Sequence, residues 1–170
     1  MSIRLGILMD PIAAIQAHKD SSFAMLLAAQ ARGWQLFYME QKDLYLRNER
    51  AVASMRQLKV DDRDSDWFEW SEAEDLPLSG LDILLMRKDP PMDMEYLYTT
   101  FILERAELEG LLVLNRPASL RDSNEKLYTA WFPEVCSPTL VSRRHAEFDR
   151  FIDTHRDVIL KPLDGMGGAS

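Results

Sequence analysis

One cysteine, Cys136, is all that the chain of 170 residues contains. An internal disulfide and a thiolate-based metal site are therefore excluded, and a reducing, cytoplasmic setting is expected. Basic residues are in the minority. The formal net charge is -8 at pH 7, with no basic block, which argues against a general nucleic-acid role because phosphate backbones are held by surplus Lys and Arg. Long apolar runs are missing too. Nothing approaches the roughly 20 residues of a membrane span, and the opening "MSIRLGILMDP" is broken by Asp10 and Pro11 before it could serve as a signal core. No repeat and no low-complexity tract is present. The three histidines, His18, His145 and His155, show no ligand or triad spacing, so helix-surface or loop roles are favoured for them, and Cys136, with no histidine in sequence to single it out as a nucleophile, reads as a small, partly buried residue.

What is present is a core. With 46% hydrophobic residues, the chain can bury one domain or slightly more. Ile3 to Met9 reads as a buried strand, residues 20–33 as a helix with Asp20, Ser21 or Ser22 at its start, an apolar face at Phe23, Leu26, Leu27 and Gln30 to Ala31, and Gly33 as its stop, and Trp34 to Glu40 as a second strand. That order is the βαβ pattern of a parallel sheet. Asp43 to Val60 departs from it and suggests a β-hairpin turning at "RNER". Asp61 to Asp75 is acidic, a surface segment pinned by Trp67 and Trp70. From Leu81, "LDILLM" is a strand; Met94 to Glu109 is a helix with Leu97, Phe101, Ile102 and Ala106 near helical spacing; and "LLVLNRP" is another strand. The expected fold is α/β, an open, mainly parallel sheet covered on both faces. Beyond it, "SLRDSNEKLYTAWF" predicts a helix starting near Ser119 or Asp122, "TLVS" a short strand, His145 to His155 an amphipathic helix, and Asp157 to Lys161 a final strand.

In open α/β sheets, ligands bind at the carboxyl ends of strands. Two such ends are polar: Asp10 after the first strand, and Arg87, Lys88 and Asp89 before Pro90-Pro91. A guanidinium fork and an ammonium suit a substrate with carboxylates or an α-amino acid group, the alternative being an ordinary ion pair at a loop edge. Ser21 and Ser22 sit where helix amides favour an anion, although capping accounts for one residue of the Asp20–Ser22 set. Lys126 and Lys161 are each solvated charges by default. Lys161 is better placed, ending an apolar strand just before Gly165, Gly167 and Gly168. The closing "DGMGGAS" fits neither the P-loop nor the dinucleotide spacing. It remains a loop whose backbone amides can approach phosphate oxygens.

The strings "GILMDPI", "KDSSFAMLLAAQARG", "LLMRKDPPMDMEY", "LNRPASLRDSNEKLYTAWF" and "VILKPLDGMGGAS" closely resemble, in order and over the whole chain, the bacterial glutathione synthetases of the ATP-grasp superfamily. The resemblance implies a substrate-side, pre-ATP-grasp α/β domain over 1–122 and the first part of an ATP-grasp domain over 123–170. It also implies an ATP-dependent carboxylate-amine ligase that joins γ-glutamylcysteine to glycine through an acyl phosphate, releasing ADP and phosphate. The family's two nucleotide-contacting lysines match Lys126 and Lys161, and its glycine-rich lid matches Gly165 to Gly168. Asp10, Ser21, Ser22, Arg87, Lys88 and Asp89 become candidates for binding the peptide. Members of the family are longer chains, and no carboxylate cluster here stands in for their Mg²⁺ ligands. The expectation is a fragment with no catalytic residue of its own, inactive alone, from a cytoplasmic and homo-oligomeric enzyme that binds neither nucleic acid nor membrane. A non-catalytic ligand-binding α/β module is the competing reading.

Overall fold

The computed structural model describes residues 2–63 and 65–165. Four parallel strands form the centre of one sheet: β1 (Arg4–Met9), β2 (Gln35–Met39), β7 (Ile83–Arg87) and β8 (Leu112–Leu114). Their order is β2-β1-β7-β8, with Leu5 beside Leu36 on one side and beside Ile83 on the other. β1 is central, and five of its six residues are buried. That burial explains its near-continuous apolar sequence, since a strand covered on both faces has no polar side to show.

Alternation along the strands sends side chains to two cores. Leu5, Ile7 and Met9 pack with Phe23, Leu26 and Ala29 of α1 (Ser21–Ala31). Leu8, Leu84 and Met86 pack with Tyr96, Leu103 and Ala106 of α2 (Met94–Leu108) on the other face. Asp20 caps α1, its carboxylate accepting from the backbone N–H groups of Ser22 and Phe23, and Asp93 caps α2 through Tyr96 N–H. Each helix therefore starts where its side chain oxygen satisfies amides with no partner inside the helix. The turn after α1 runs through Gly33 at φ +75°, a conformation that costs glycine least.

The hairpin is present as β3 (Leu44–Arg47) and β4 (Arg50–Val60), joined by Asn48 and Glu49 with φ 49° and 66°. β4 extends the sheet antiparallel to β2. The acidic segment departs from the sequence reading. It is pinned as expected, with Trp67 edge-on to Phe23 at 4.9 Å and Trp70 stacked on Tyr38 at 5.6 Å. It also forms β5 (Phe68–Trp70) and β6 (Glu74–Pro77), which bond to the free side of β4. A long strand with an open edge supplied the partners that propensity could not announce.

Helix faces differ in detail. In α2 the buried set is Tyr96, Thr99, Thr100, Leu103 and Ala106, and Phe101 is exposed. The two threonines bury because their hydroxyls donate to the carbonyls of Glu95 and Leu97 in their own helix. In α1, Gln30 is not an apolar contact; its amide bonds both the N–H and the carbonyl of Val60, tying the helix to the end of β4.

The second half needs more correction. The helix expected to begin near Ser119 or Asp122 instead begins with Pro117 and ends at Asp122 (α3, Pro117–Asp122). Asn124 then takes the N–H groups of Lys126 and Leu127 on its side chain, and only a 3-10 turn, Tyr128–Trp131, follows. Such a side chain offers the backbone a substitute for helical bonding. The amphipathic helix α4 (His145–His155) forms as expected. Neither "TLVS" nor Asp157 to Lys161 is a strand. No described residue pairs with either, and Ile159 and Leu160 are 82% and 70% exposed; an apolar run without a partner strand has nothing to ladder with. After Pro117, no described residue is buried.

Candidate functional site

Because β1, β2, β7 and β8 run parallel, their carboxyl ends emerge at one edge. Asp10 follows β1, Glu40 follows β2, Lys88 and Asp89 follow Arg87 at the end of β7, and Asn115 and Arg116 follow β8. The register places Met9 beside Arg87, so the two polar ends singled out in the sequence are neighbours.

Their side chains bond to one another. Lys88 Nζ lies 2.9 Å from Asp10 Oδ1, and the other Asp10 oxygen accepts from Asp89 N–H at 2.9 Å. Arg87 donates from Nε to Ser22 Oγ at 3.0 Å and from Nη2 to Ser21 Oγ at 2.8 Å. All six residues expected to bind the peptide therefore come together. They do so in a different arrangement from the one foreseen: Ser21 and Ser22 are not free to meet a ligand alone, since Asp20 does the capping and both hydroxyls serve Arg87.

Around Asp10 the edge forms a shallow groove of about 300 Å³, whose walls include Pro11, Glu40, Lys42, Lys88 and Glu95. Tyr38 anchors its floor. The buried phenol accepts from Ile12 N–H at 3.1 Å and donates to Glu40 Oε1 at 2.8 Å. Burial drives the Tyr38 pKa well above the ordinary tyrosine value, with the Glu40 carboxylate adding to the rise. Burial would also raise Glu40, but hydrogen bonds from Lys42, whose Nζ is 2.8 Å away, and from Tyr38 outweigh it and hold the carboxyl below its usual range.

A second, larger cleft of about 530 Å³ opens where β7 and β8 give way to α2 and α3. Pro90, Met92, Tyr96 and Leu120 give it apolar surface, while Asn115, Arg116, Ser119, Asn124 and Lys126 are polar. Residues 163–165 close one side: Asn124 Nδ2 donates to the Leu163 carbonyl at 2.8 Å, and Lys126 Nζ donates to the Gly165 carbonyl at 2.6 Å and to Glu125 Oε1 at 2.7 Å. Tyr96 is raised in pKa, by burial first and then by the charge of Asp89, which links the cleft wall to the Asp10 cluster.

The structure thus brings Lys126 and Gly165 together. Lys161 is exposed and is not part of the cleft wall. Gly167 and Gly168 lie outside the described residues. Sequence reasoning passed over Glu40, Lys42 and Arg116, although the strand-end rule that selected Asp10 and Arg87 applies equally to the ends of β2 and β8. Among the described residues, no group of three His, Cys, Asp or Glu side chains is placed to hold a metal ion.

Comparison with known proteins gives two family matches, to the N-terminal domain of prokaryotic glutathione synthetase over residues 3–121 and to its ATP-grasp domain over residues 125–170. Among curated relatives, the glutathione synthetase of Pseudomonas putida is 62% identical over 170 residues, covering 100% of this chain and 54% of the relative. The glutathione synthetases of Escherichia coli K12 and Photorhabdus laumondii are 58% and 57% identical over 168 residues, each covering 99% of this chain and 53% of the relative. The chain spans about half the length of the curated relatives it matches.

Proposed function

The chain belongs to the prokaryotic glutathione synthetase family, and from that premise we propose that it supplies the acid-substrate side of an ATP-dependent ligase. In the reaction, ATP transfers its γ-phosphoryl group to the cysteinyl carboxylate of γ-glutamylcysteine. The glycine amine then attacks the acyl phosphate, and phosphate leaves as the amide forms. ADP, phosphate and glutathione are the products. A carboxylate oxygen is a poor leaving group and a phosphate a good one, so the enzyme's task is to hold the partners in line and offset the moving charge.

The observation that carries this reading is the meeting of a bonded polar cluster with a cleft containing Lys126, at the carboxyl edge of a parallel sheet in a chain of this family. Asp10, Ser21, Ser22, Arg87, Lys88 and Asp89 shape the peptide side in the proposal. Lys126 and Lys161, with Gly165, Gly167 and Gly168, face the nucleotide. A compact ammonium suits a phosphate oxygen, and Lys126 is half-buried in the cleft wall with its ammonium on a backbone carbonyl that a phosphate would replace. Mg²⁺ belongs to the same proposal as charge compensation for ATP. The described residues offer no set of ligands for it, and no step here runs through the metal. We divide the chain into a substrate-side domain, 1–122, and the start of an ATP-grasp domain, 123–170, a division supported by the absence of buried residues after Pro117 among those described. The proposal extends to a cytoplasmic, homo-oligomeric enzyme; no helix of the described residues is long and apolar enough to cross a membrane.

The test is glutathione formation by the full-length protein given ATP, Mg²⁺, γ-glutamylcysteine and glycine, with one ADP released per peptide bond. Binding of the dipeptide without any turnover would replace this reading with the non-catalytic binding module.

A further inference from the structure

The larger cleft contains a cation with no partner among the described residues. At the sheet edge, positive charge is already engaged: Arg87 by Ser21 and Ser22, Lys88 by Asp10. Lys126 is on Glu125 and the Gly165 carbonyl, and Arg121 is 2.6 Å from Glu104. Arg116 differs. It lines the cleft directly after β8, is exposed, and its guanidinium makes no hydrogen bond or ion pair with any described residue. The two acids on the same wall, Glu125 and Asp164, do not pair with it. In a chain where Asp and Glu outnumber Lys and Arg by 28 to 20, an arginine left open beside a concave surface is available for an outside anion.

The surroundings suit one. Tyr96, Met92 and Leu120 give the cleft apolar surface, and Asn115 and Ser119 line it together with Arg116. The volume, about 530 Å³, falls within the few hundred to about 1,000 Å³ usual for small-ligand sites. A planar guanidinium presents paired N–H donors that match two oxygens of a carboxylate or phosphate, and a partly apolar wall strengthens that contact by excluding water.

We propose that Arg116 is the oxyanion anchor of this cleft, gripping a carboxylate or phosphate of the bound ligand through its guanidinium fork. The assignment rests on the ligase reading above. It moves the principal anion contact away from Arg87 and Lys88, which serve to build the edge, and onto a residue that no described residue engages.

The experiment is calorimetric titration of γ-glutamylcysteine and of ATP, separately, into the full-length protein and its Arg116→Ala and Arg116→Lys variants. The readout is binding, so turnover is not needed. A lost charge-assisted pair of this kind corresponds to about a tenfold or greater rise in Kd. If the anion is a substrate carboxylate, Arg116→Ala weakens the dipeptide and leaves ATP within about twofold; if it is a phosphate, the pattern reverses. Arg116→Lys keeps the charge, loses the fork and falls between. The melting temperature should not move, because the side chain has no partner among the described residues to lose. Unchanged Kd values for both ligands in Arg116→Ala overturn the anchor while leaving the ligase reading intact. A wild-type protein that binds neither ligand removes both.

Discussion

At the scale of single residues, the edge cluster is an interlocked set in which each member fixes another. Arg87 is the clearest case, because its two bonds reach from the end of β7 to the first turn of α1. Arg87→Ala should raise the KM for γ-glutamylcysteine more than that for ATP in the full-length enzyme, since it loosens the peptide side only; a rise confined to ATP would show that the peptide side has been misplaced. Lys161→Ala should instead weaken ATP severely, as expected for a lost phosphate contact, and unchanged nucleotide affinity would remove that role. Tyr38 supports the loop from below. Tyr38→Phe leaves the Ile12 N–H buried without its acceptor, which should cost about 1–3 kcal/mol, read as a lower urea midpoint. Glu40 adds a pH dependence. Its folded pKa is depressed below the reference value of 4.5, so its contribution is present above that value and is lost as the pH falls from there through the folded pKa. The stability gap between wild type and Glu40→Gln should therefore shrink below about pH 4.5, measured by urea unfolding at stepped pH.

At the scale of elements, the parallel core was readable and its additions were not. β1, β2, β7 and β8 announce themselves through continuous apolar runs, α1 through a cap among Asp20, Ser21 and Ser22, and α2 through the near-helical spacing of Leu97, Phe101, Ile102 and Ala106. β5 and β6 could not be read, because "FEW" and "EDLP" carry no pattern of their own and become strands only by bonding to β4. The reverse error occurred at Asp157 to Lys161, a strand-like run with no partner strand among the described residues. The β3–β4 turn holds a testable cost. Glu49 sits at φ 66°, where a side chain costs about 1 kcal/mol that glycine avoids. Glu49→Gly should raise the melting temperature slightly, since the Glu49 group that meets Arg105 is the backbone carbonyl, which the substitution keeps. A fall would show that the Glu49 side chain contributes more than its backbone strain costs.

At the scale of the whole molecule, burial is concentrated in the first part of the chain. The buried members of one hydrophobic cluster end at Val60 and those of the other at Val113, with Leu120 packed against the latter from outside. Hydrogen exchange should follow that division: amides of β1, β2 and β7 should exchange through the slowest opening, and those of residues 124–165 much faster. Equal protection in both regions would contradict it.

The sequence by itself determined the parallel sheet, its covering helices, the hairpin and the family, because periodicity, caps and ordered motifs are local properties. It also determined which types of charged residue stand at the strand ends. Only the tertiary structure decided how those charges are spent. Register put Met9 beside Arg87 and so paired Asp10 with Lys88, packing gave Ser21 and Ser22 to Arg87, and the chain's return at residues 163–165 closed a cleft around Lys126. Among the described residues, the same process left Arg116 without a side-chain partner. Whether a charge is satisfied depends on distances between residues far apart in sequence, and those distances exist only once the strands have chosen their neighbours.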